Sequence, residues 1–343
     1  MKKWKIKSNY EKDSNIVDVL LANRGITDTK RKEDFLNPPK ITDVVAALPQ
    51  EFRRSLLDAK KLILDQIAAG KKIIIYGDYD ADGVCSTAIL YNTIQTELKY
   101  NCEYFIPNRF SNGYGLSVGA IDELRKKFPE EDILFITVDT GITAEKEVVY
   151  IKSLGHKIII TDHHQKPAAL PPADLIVWND QMVASSISWI VSRALGSKDS
   201  QSLALAAVAT VTDLQPLLGF NRTIVTEGLK ILNSKPPLGI KKLIDVSSKP
   251  GKETSTYDLG YVIGPRLNAT GRLDSASESL ELLIESDETR IGQIAQNLHS
   301  ANTLRQDKTL EMYQVATFAE GAAIPRIIIS QSTEYHEGII GLV

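Results

Sequence analysis

The sequence predicts an α/β fold: a doubly wound, mostly parallel sheet with a helical extension, a connector helix and the start of a second α/β domain. Three observations point there. From residue 51 onward, segments of helical period alternate with short apolar runs rich in isoleucine and valine. The helices set between those runs imply right-handed crossovers and a sheet covered on both faces. After about residue 185 the apolar runs stop and helical periods continue, until "PRIIIS" near the end reads as a strand again.

Taken in order, "SLLDAKKLILDQIAAG" has apolar residues at helical spacing and ends on Gly70, suited to a helix C-cap. Strand "KKIIIY" follows, then helix "GVCSTAILYNTIQTEL", strand "CEYFIP", helix "SVGAIDELRKKF", strand "ILFITVD", helix "TAEKEVVYIKSLG", and strands "KIIIT" and "DLIVW". Helices "SSISWIVSRAL", "SLALAAVATVTDL" and "NRTIVTEGLKILN" come next. The long pattern "ETRIGQIAQNLHSANTLRQDKTLEMYQVATFAE" is more polar than a buried helix and reads as a connector. The expected organisation is an N-terminal segment at 1–50 packed on the main domain, the main domain at 51–285, the connector at 286–320, and the truncated start of another domain at 321–343. The apolar "HEGIIGLV" ends the chain where that last domain has barely begun.

The composition, 43% apolar and 24% charged over 343 residues, is that of an ordinary soluble globular protein. A net charge of -3 gives no whole-molecule field to draw in nucleic acid. Residues 221–272 nevertheless carry nine Lys or Arg against four Asp or Glu, a local excess suited to a polyanion. Cys85 and Cys102 are the only cysteines and form neither a CxxC pair nor a disulfide framework, so reduced thiols are expected. The basic "MKKWKIKS" is followed by polar "NYEKDSN" where a secretory signal needs an apolar stretch, and "LALAAVATV" is too short to span a bilayer. The expected location is the cytoplasm, with no membrane partner.

In a doubly wound sheet, ligands bind beyond the carboxyl ends of the strands. The first strand ends in Asp78, Asp80 and Asp82, "ILFITV" ends in Asp139, and "KIIIT" ends in Asp162, His163 and His164. Adjacent carboxylates repel and are costly to desolvate, so packing does not ask for them there. Carboxylates with imidazoles and no thiolate suit Mn²⁺ or Mg²⁺, and a rim this acidic has room for two ions acting on a phosphate ester. An EF-hand is a poor alternative: the twelfth position counted from Asp78 is Ile89, and a strand precedes the motif. Asp82 as a plain helix N-cap and "DHH" as an ordinary polar strand end are the bland readings, each reasonable alone. In "PNRFSNGYGLS", Gly113 and Gly115 permit unusual backbone angles and Arg109 can grip a phosphate. "GPRLNATGR" reads as a second glycine-bounded loop, carrying Arg266, Asn268 and Arg272. Spacing alone does not mark Asp213.

The motifs "GDYDADG", "PNRFSNGYGLS", "TVDTGI", "TDHHQ", "VATVTDLQPL" and "GPRLNATGR" occur in an order that resembles the DHH phosphoesterase superfamily, and in detail its RecJ branch of single-strand-specific 5′-to-3′ DNA exonucleases. The likeness covers nearly the whole chain, including "LLANRGITDTKRKEDFLNPP". It implies metal ligation by Asp80, Asp82, Asp139, His163 and Asp213, contact of His164 with metal or scissile phosphate, and orienting roles for Asp78 and Asp162. It also implies that Arg109, Ser117, Arg266, Asn268 and Arg272 contact the nucleic-acid backbone or a terminal phosphate, and that the final segment begins a DHHA1 domain. Tyr76 departs from members that carry a further histidine ligand there, Thr140 stands where RecJ proteins often have Asn, and the stretch after "DLIVW" is shorter than usual.

The resulting expectation is a two-metal exodeoxyribonuclease of DNA repair and recombination that releases 5′-mononucleotides from single-stranded DNA, with a single-strand-binding protein or a helicase as further partner. Its rivals are an oligoribonuclease or cyclic-dinucleotide phosphodiesterase of the same superfamily, a non-catalytic single-strand-binding replication scaffold, and an inorganic pyrophosphatase.

Overall fold

Strands β1 (Lys72–Tyr76), β2 (Cys102–Phe105), β3 (Ile133–Val138), β4 (Lys157–Asp162) and β5 (Leu175–Trp178) form a five-stranded sheet in the order β2-β1-β3-β4-β5, with every pairing parallel. The coordinates are a computed structural model that describes residues 5, 15–129, 132–247, 252–316, 331–333 and 335–342. Helices α1 (Ile16–Ala22), α2 (Thr29–Leu36), α3 (Ile41–Ala46) and α4 (Gln50–Ala68) precede the sheet. Crossovers α5 (Ala81–Tyr91), α6 (Val118–Lys127) and α7 (Glu145–Ser153) follow β1, β2 and β3. The order turns at β1, which sends the chain first to β2 on one side and then to β3 on the other, so a crevice opens above the ends of β1 and β3.

The strands read as unbroken apolar runs because both faces are covered. Ile73, Ile75, Leu134, Ile136 and Ile159 pack on the same side as Phe52, Leu56 and Ile63 of α4 and Val84 and Ile89 of α5. Ile74, Tyr76, Phe135, Ile158 and Ile160 pack on the other side with Ile121 and Leu124 of α6 and Val148 and Ile151 of α7. Each of these fully buried isoleucines contributes about 1.5–3 kcal/mol relative to exposure. They make the platform on which the strand ends are held still.

Helices α8 (Ala184–Leu195), α9 (Gln201–Thr212), α10 (Gly219–Leu232), α11 (Leu238–Ser247), α12 (Thr256–Asp258), α13 (Gly264–Leu273), α14 (Ser277–Ile284) and α15 (Glu288–Ala316) complete the described body. Wider π turns extend α5 through Asn92–Glu97 and join α12 to α13 through Leu259–Ile263. Along the α5–α8 contact, Ser86 meets Ser185 at 3.2 Å and Thr93 meets Ser192 at 2.7 Å. The N-terminal helices lie against α10, where Arg222 stacks on Phe35 at 3.7 Å and Thr223 donates to the Pro39 carbonyl.

Two expectations change. "GPRLNATGR" is helix α13, not a loop, and its glycines serve close packing: a Cβ on Gly264 would lie 2.5 Å from Thr212 Oγ1, and one on Gly271 2.6 Å from the Tyr79 carbonyl. Helix α15 is not a free connector over its first half, since Ile291, Ile294, Ala295 and Leu298 are buried and the helix packs on α11, α13 and α14. Its many polar residues hide that i, i+3, i+4, i+7 stripe. The strand expected at "PRIIIS" lies outside the described residues. No helix among the described residues is long and apolar enough to cross a membrane.

Candidate metal centre and adjoining cavity

The end of β1 is built to crowd its aspartates together. A Cβ on Gly77 would lie 2.0 Å from Thr87 Oγ1 and one on Gly83 2.4 Å from the Asp78 carbonyl, so only glycine lets α5 start this close to the strand. Asp80, rather than Asp82, is the N-cap of α5, its Oδ1 accepting from the backbone N–H of Asp82 at 2.9 Å and of Gly83 at 3.1 Å. Asp82, two residues further along, is buried and accepts from the first amides of the α8 end, Ala184 N and Ser185 N, both at 2.8 Å.

Asp139 follows β3 in a left-handed conformation, φ 61°, which aspartate tolerates better than most residues. His163, one residue past β4, directs Nε2 to Asp139 Oδ1 at 3.1 Å, Asp82 Oδ2 at 3.6 Å and Asp213 Oδ2 at 3.8 Å. Asp213 ends α9, where the helix dipole disfavours a carboxylate. Next to it Leu214 has φ 58° and is 87% exposed, a second strained position at the same rim. Asp162 accepts from the amides of Ile142, His163 and His164 and pairs with His164 Nδ1 at 2.8 Å.

Three overlapping sets of donor atoms result: Asp78, Asp80 and Asp139; Asp82, His163 and Asp213; and Asp139, His163 and His164, each within 4.8 Å. The fit to a cation rests on what these atoms lack. Oδ1 of Asp78 and Oδ1 of Asp139 are buried and accept no hydrogen bond, the latter even though His163 Nε2 lies 3.1 Å away, and both residues are only 2% exposed. Burial raises the Asp78 carboxyl to about 8, with the charge of Asp80 adding to it. Burial likewise pushes Asp139 well above the usual carboxylate range, helped by Asp82 and Asp80, and brings Asp213 to about 7. Burial works against ionisation of Asp162 too, but the His164 ring and the backbone donors overcome it and hold its pKa low, while the Asp162 bond raises His164 to about 9. Oxygen donors with two imidazoles, two of the oxygens making no hydrogen bond, match one or two hard divalent ions. Asp78, expected to orient ligands, also offers an oxygen to one of these sets.

Beside the acids lies a cavity of about 140 Å³ walled by Asp78, Tyr79, Asp80, Arg109, Tyr114, Asn268, Gly271 and Arg272. That is well under the roughly 300 Å³ of a pocket for a whole drug-sized ligand, and suits a phosphate group. Arg109 stacks on the Tyr79 ring at 4.6 Å and donates to its hydroxyl at 3.0 Å. Asn268 accepts from Ala81 N at 2.6 Å, which ties α13 to the start of α5.

Two expected contacts do not reach this cavity. Arg266 is two residues from Asn268, about 200° round a helix, and its guanidinium is held by the Val262 carbonyl and His299 of α15. Ser117 caps α6 by accepting from Ala120 N at 3.3 Å. The basic excess of 221–272 is likewise dispersed: Lys230, Lys242 and Lys252 pair with Glu227, Glu288 and Asp258, and Arg222 stacks on Phe35. Tyr76, standing in a position that some relatives give to a ligand, points away and donates to the Gly115 carbonyl at 2.9 Å. The aromatic walls Tyr79 and Tyr114 were not anticipated, although the glycines either side of Tyr114 were a signal.

The profile of the DHH family, N-terminal domain, matches residues 72–212, which span the sheet and the helices up to Asp213. The chain is 32% identical over 345 residues to the single-stranded-DNA-specific exonuclease RecJ of Bacillus subtilis, covering 96% of this chain and 42% of that protein. It spans about half the length of the curated relatives it matches. It also resembles the crystal structure of RecJ from Thermus thermophilus in complex with Mg²⁺, with 27% identity, TM-score 0.62, 88% of this chain and 40% of that one. To the crystal structure of an exonuclease RecJ bound to manganese it is 31% identical with TM-score 0.75, covering 84% of this chain and 75% of that one. Matched over three-quarters of that structure's length and carrying the DHH profile on its sheet, the chain belongs to the RecJ branch of the DHH phosphoesterase superfamily.

Proposed function

We propose that this chain carries the catalytic core of a metal-dependent exonuclease that removes nucleotides from the 5′ end of single-stranded DNA. The observation that carries the reading is the pair of buried, unsatisfied carboxylate oxygens of Asp78 and Asp139 beside a cavity lined by Arg109 and Arg272. Solved RecJ structures hold Mn²⁺ in one case and Mg²⁺ in another, which supports the same ions here. Asp80, Asp82, Asp139, His163 and Asp213 hold them, with Asp78 adding an oxygen. Bound there, the ions supply a water of lowered pKa and neutralise the charge of the reacting phosphate.

The chain's own groups do the rest. Asp162 holds the Nδ1 side of the His164 ring and so keeps the imidazole beside the reacting phosphate. Arg109 and Arg272 hold a phosphate in the cavity, and Tyr79 keeps the Arg109 guanidinium over its ring. Residues 51–285 form the catalytic domain in this reading, and the region from 321 begins the domain that guides the strand. Single-stranded DNA is the substrate, with a single-strand-binding protein or a helicase recruiting the enzyme in the cytoplasm.

The test is release of mononucleotides from a 5′-phosphorylated single-stranded oligonucleotide with Mn²⁺, beside a blunt duplex and the Asp80→Ala protein. Release from the single strand alone, lost on substitution, is expected. Cleavage of dinucleotides or cyclic dinucleotides in preference to the oligonucleotide would replace this reading with another activity of the superfamily. Strand binding with no Mn²⁺ uptake would replace it with a scaffold.

A further inference from the structure

The His164 imidazole is the most exposed member of the donor cluster, its side chain 43% accessible, yet it is held at both nitrogens. Nδ1 is fixed by Asp162 at 2.8 Å, and Nε2 lies 3.3 Å from the hydroxyl of Tyr114. Packing gives no reason for that tyrosine. Its residue is 59% exposed, and the ring touches its neighbours only edge-on, Tyr79 at 6.0 Å and His164 at 6.5 Å between centroids.

The loop is nonetheless shaped to present it. Gly113 and Gly115 flank Tyr114 with φ 78° and 76°, angles a residue with a Cβ adopts only under strain. The loop is pinned from below by the buried Tyr76 hydroxyl on the Gly115 carbonyl, and Tyr79 is steadied in turn by Arg109. Two left-handed glycines, a buried tyrosine anchor and an aromatic buttress all converge on one exposed phenol, whose polar atom meets the one imidazole nitrogen that Asp162 leaves free.

We infer that Tyr114 is a positioning residue for His164: its hydroxyl fixes the imidazole at Nε2 and so sets the ring plane over the donor cluster, and without it the ring is anchored at Nδ1 alone. The inference deepens the nuclease reading and rests on it for its consequence in turnover, although the hydrogen bond itself is measurable without any activity. Because the role lies in the hydroxyl, phenylalanine removes it and leucine removes little more.

The experiment pairs a spectrum with kinetics on the full chain. In metal-free protein labelled at histidine nitrogen, the His164 signals are identified by their loss in His164→Ala. Tyr114→Phe is expected to move the His164 Nε2 signal and leave those of His156 and His299, which lie outside the site, in place. On a 5′-phosphorylated single-stranded oligonucleotide, Tyr114→Phe and Tyr114→Leu are each expected to lower kcat about tenfold with KM within about twofold, the scale of one net hydrogen bond. A Tyr114→Phe protein with wild-type His164 signals and wild-type kcat overturns the inference. So does a Phe variant that keeps kcat while the Leu variant loses it, since the ring would then act by packing alone. If the wild type releases no nucleotide while Tyr114→Phe still moves the His164 signal, the contact stands and the nuclease reading falls instead.

Discussion

The rim above β1, β3 and β4 and the seam between α5 and α8 both bury polar side chains, and they treat them in opposite ways. At the seam, the hydroxyls of Ser86 and Thr93 each bond a carbonyl of their own helix and a serine of the facing one. These four hydroxyls are paired and tie the two helices together, while Ser186 and Ser188 of α8 keep a buried Oγ with no partner. At the rim, Asp78 and Asp139 each keep an oxygen that accepts no hydrogen bond, and Asp139 adds a left-handed backbone. A buried polar group left unpaired costs about 1–3 kcal/mol, more when charged, so the two carboxylates of the rim are costlier to leave unpaired than a neutral hydroxyl of the seam. The seam stabilises, and the rim waits for a ligand.

The largest effect that breaks this comparison is Asp139→Asn. It keeps the left-handed backbone and removes a buried carboxyl whose ionisation burial and its acidic neighbours oppose, so nucleotide release should fall by on the order of 10³. Above the pH at which that carboxyl ionises, the metal-free protein should become more stable, with Tm rising by about 2–4 °C for each kcal/mol of relieved repulsion. Thr93→Val at the seam should do the reverse, losing about 1–3 kcal/mol of stability on denaturant unfolding while nucleotide release is unchanged. A fall in Tm for Asp139→Asn would mean that the carboxylate is satisfied in the metal-free protein, and the contrast between rim and seam would collapse.

How much of this was legible in the sequence follows from the same physics. Strands buried on both faces must be apolar throughout, so "KKIIIY", "ILFITVD" and "KIIIT" announced themselves, and the rule that ligands bind past strand ends turned the next residues into candidates. Asp213 lies at a helix end with no such rule, and only family likeness marked it. Helix α13 was misread because Gly264 and Gly271 look like turn residues, whereas they leave room for Thr212 and Tyr79. Arg266 was grouped with Arg272 for the same reason: a loop lets neighbours in sequence share a target, and a helix separates them. The role of Tyr76 in holding the loop of Tyr114 is a contact across 39 residues that no local pattern encodes.

A second, smaller effect concerns pH. In the metal-free protein Asp213 is raised to about 7, Asp78 to about 8 and His164 to about 9. For the two carboxyls the folded state holds protons more tightly than the unfolded chain, so their contribution to stability is complete below about pH 3.9 and is lost as pH rises through their folded values. His164 acts in the same direction, present below about 6.5 and lost on passing about 9. Metal-free stability should therefore decline steadily from pH 5 to pH 9. Metal must displace the carboxyl protons, so apparent Mg²⁺ affinity should rise about tenfold per unit of pH for each proton released, up to about pH 8. Calorimetry at several pH values, with and without Mg²⁺, measures both slopes. A flat metal-free profile would mean that the rim carboxylates are ionised and solvated.

The smallest expected effect separates two arginines that the sequence presents as equals. Arg272 lies four residues from Asn268, about 40° from it round the helix, and both line the cavity. Arg266 lies on the far side, where its guanidinium joins α13 to His299 of α15. Arg272→Gln should raise KM for a 5′-phosphorylated oligonucleotide about tenfold, because it removes a charged donor from the phosphate. Arg266→Gln should leave KM within about twofold and reduce stability by about 1–2 kcal/mol, the scale of a lost buried hydrogen bond. Equal KM changes for the two would place Arg266 on the substrate after all. The helix would then have to rotate or unwind on binding, and the fixed tie between Asn268 and Ala81 N makes that the less economical account.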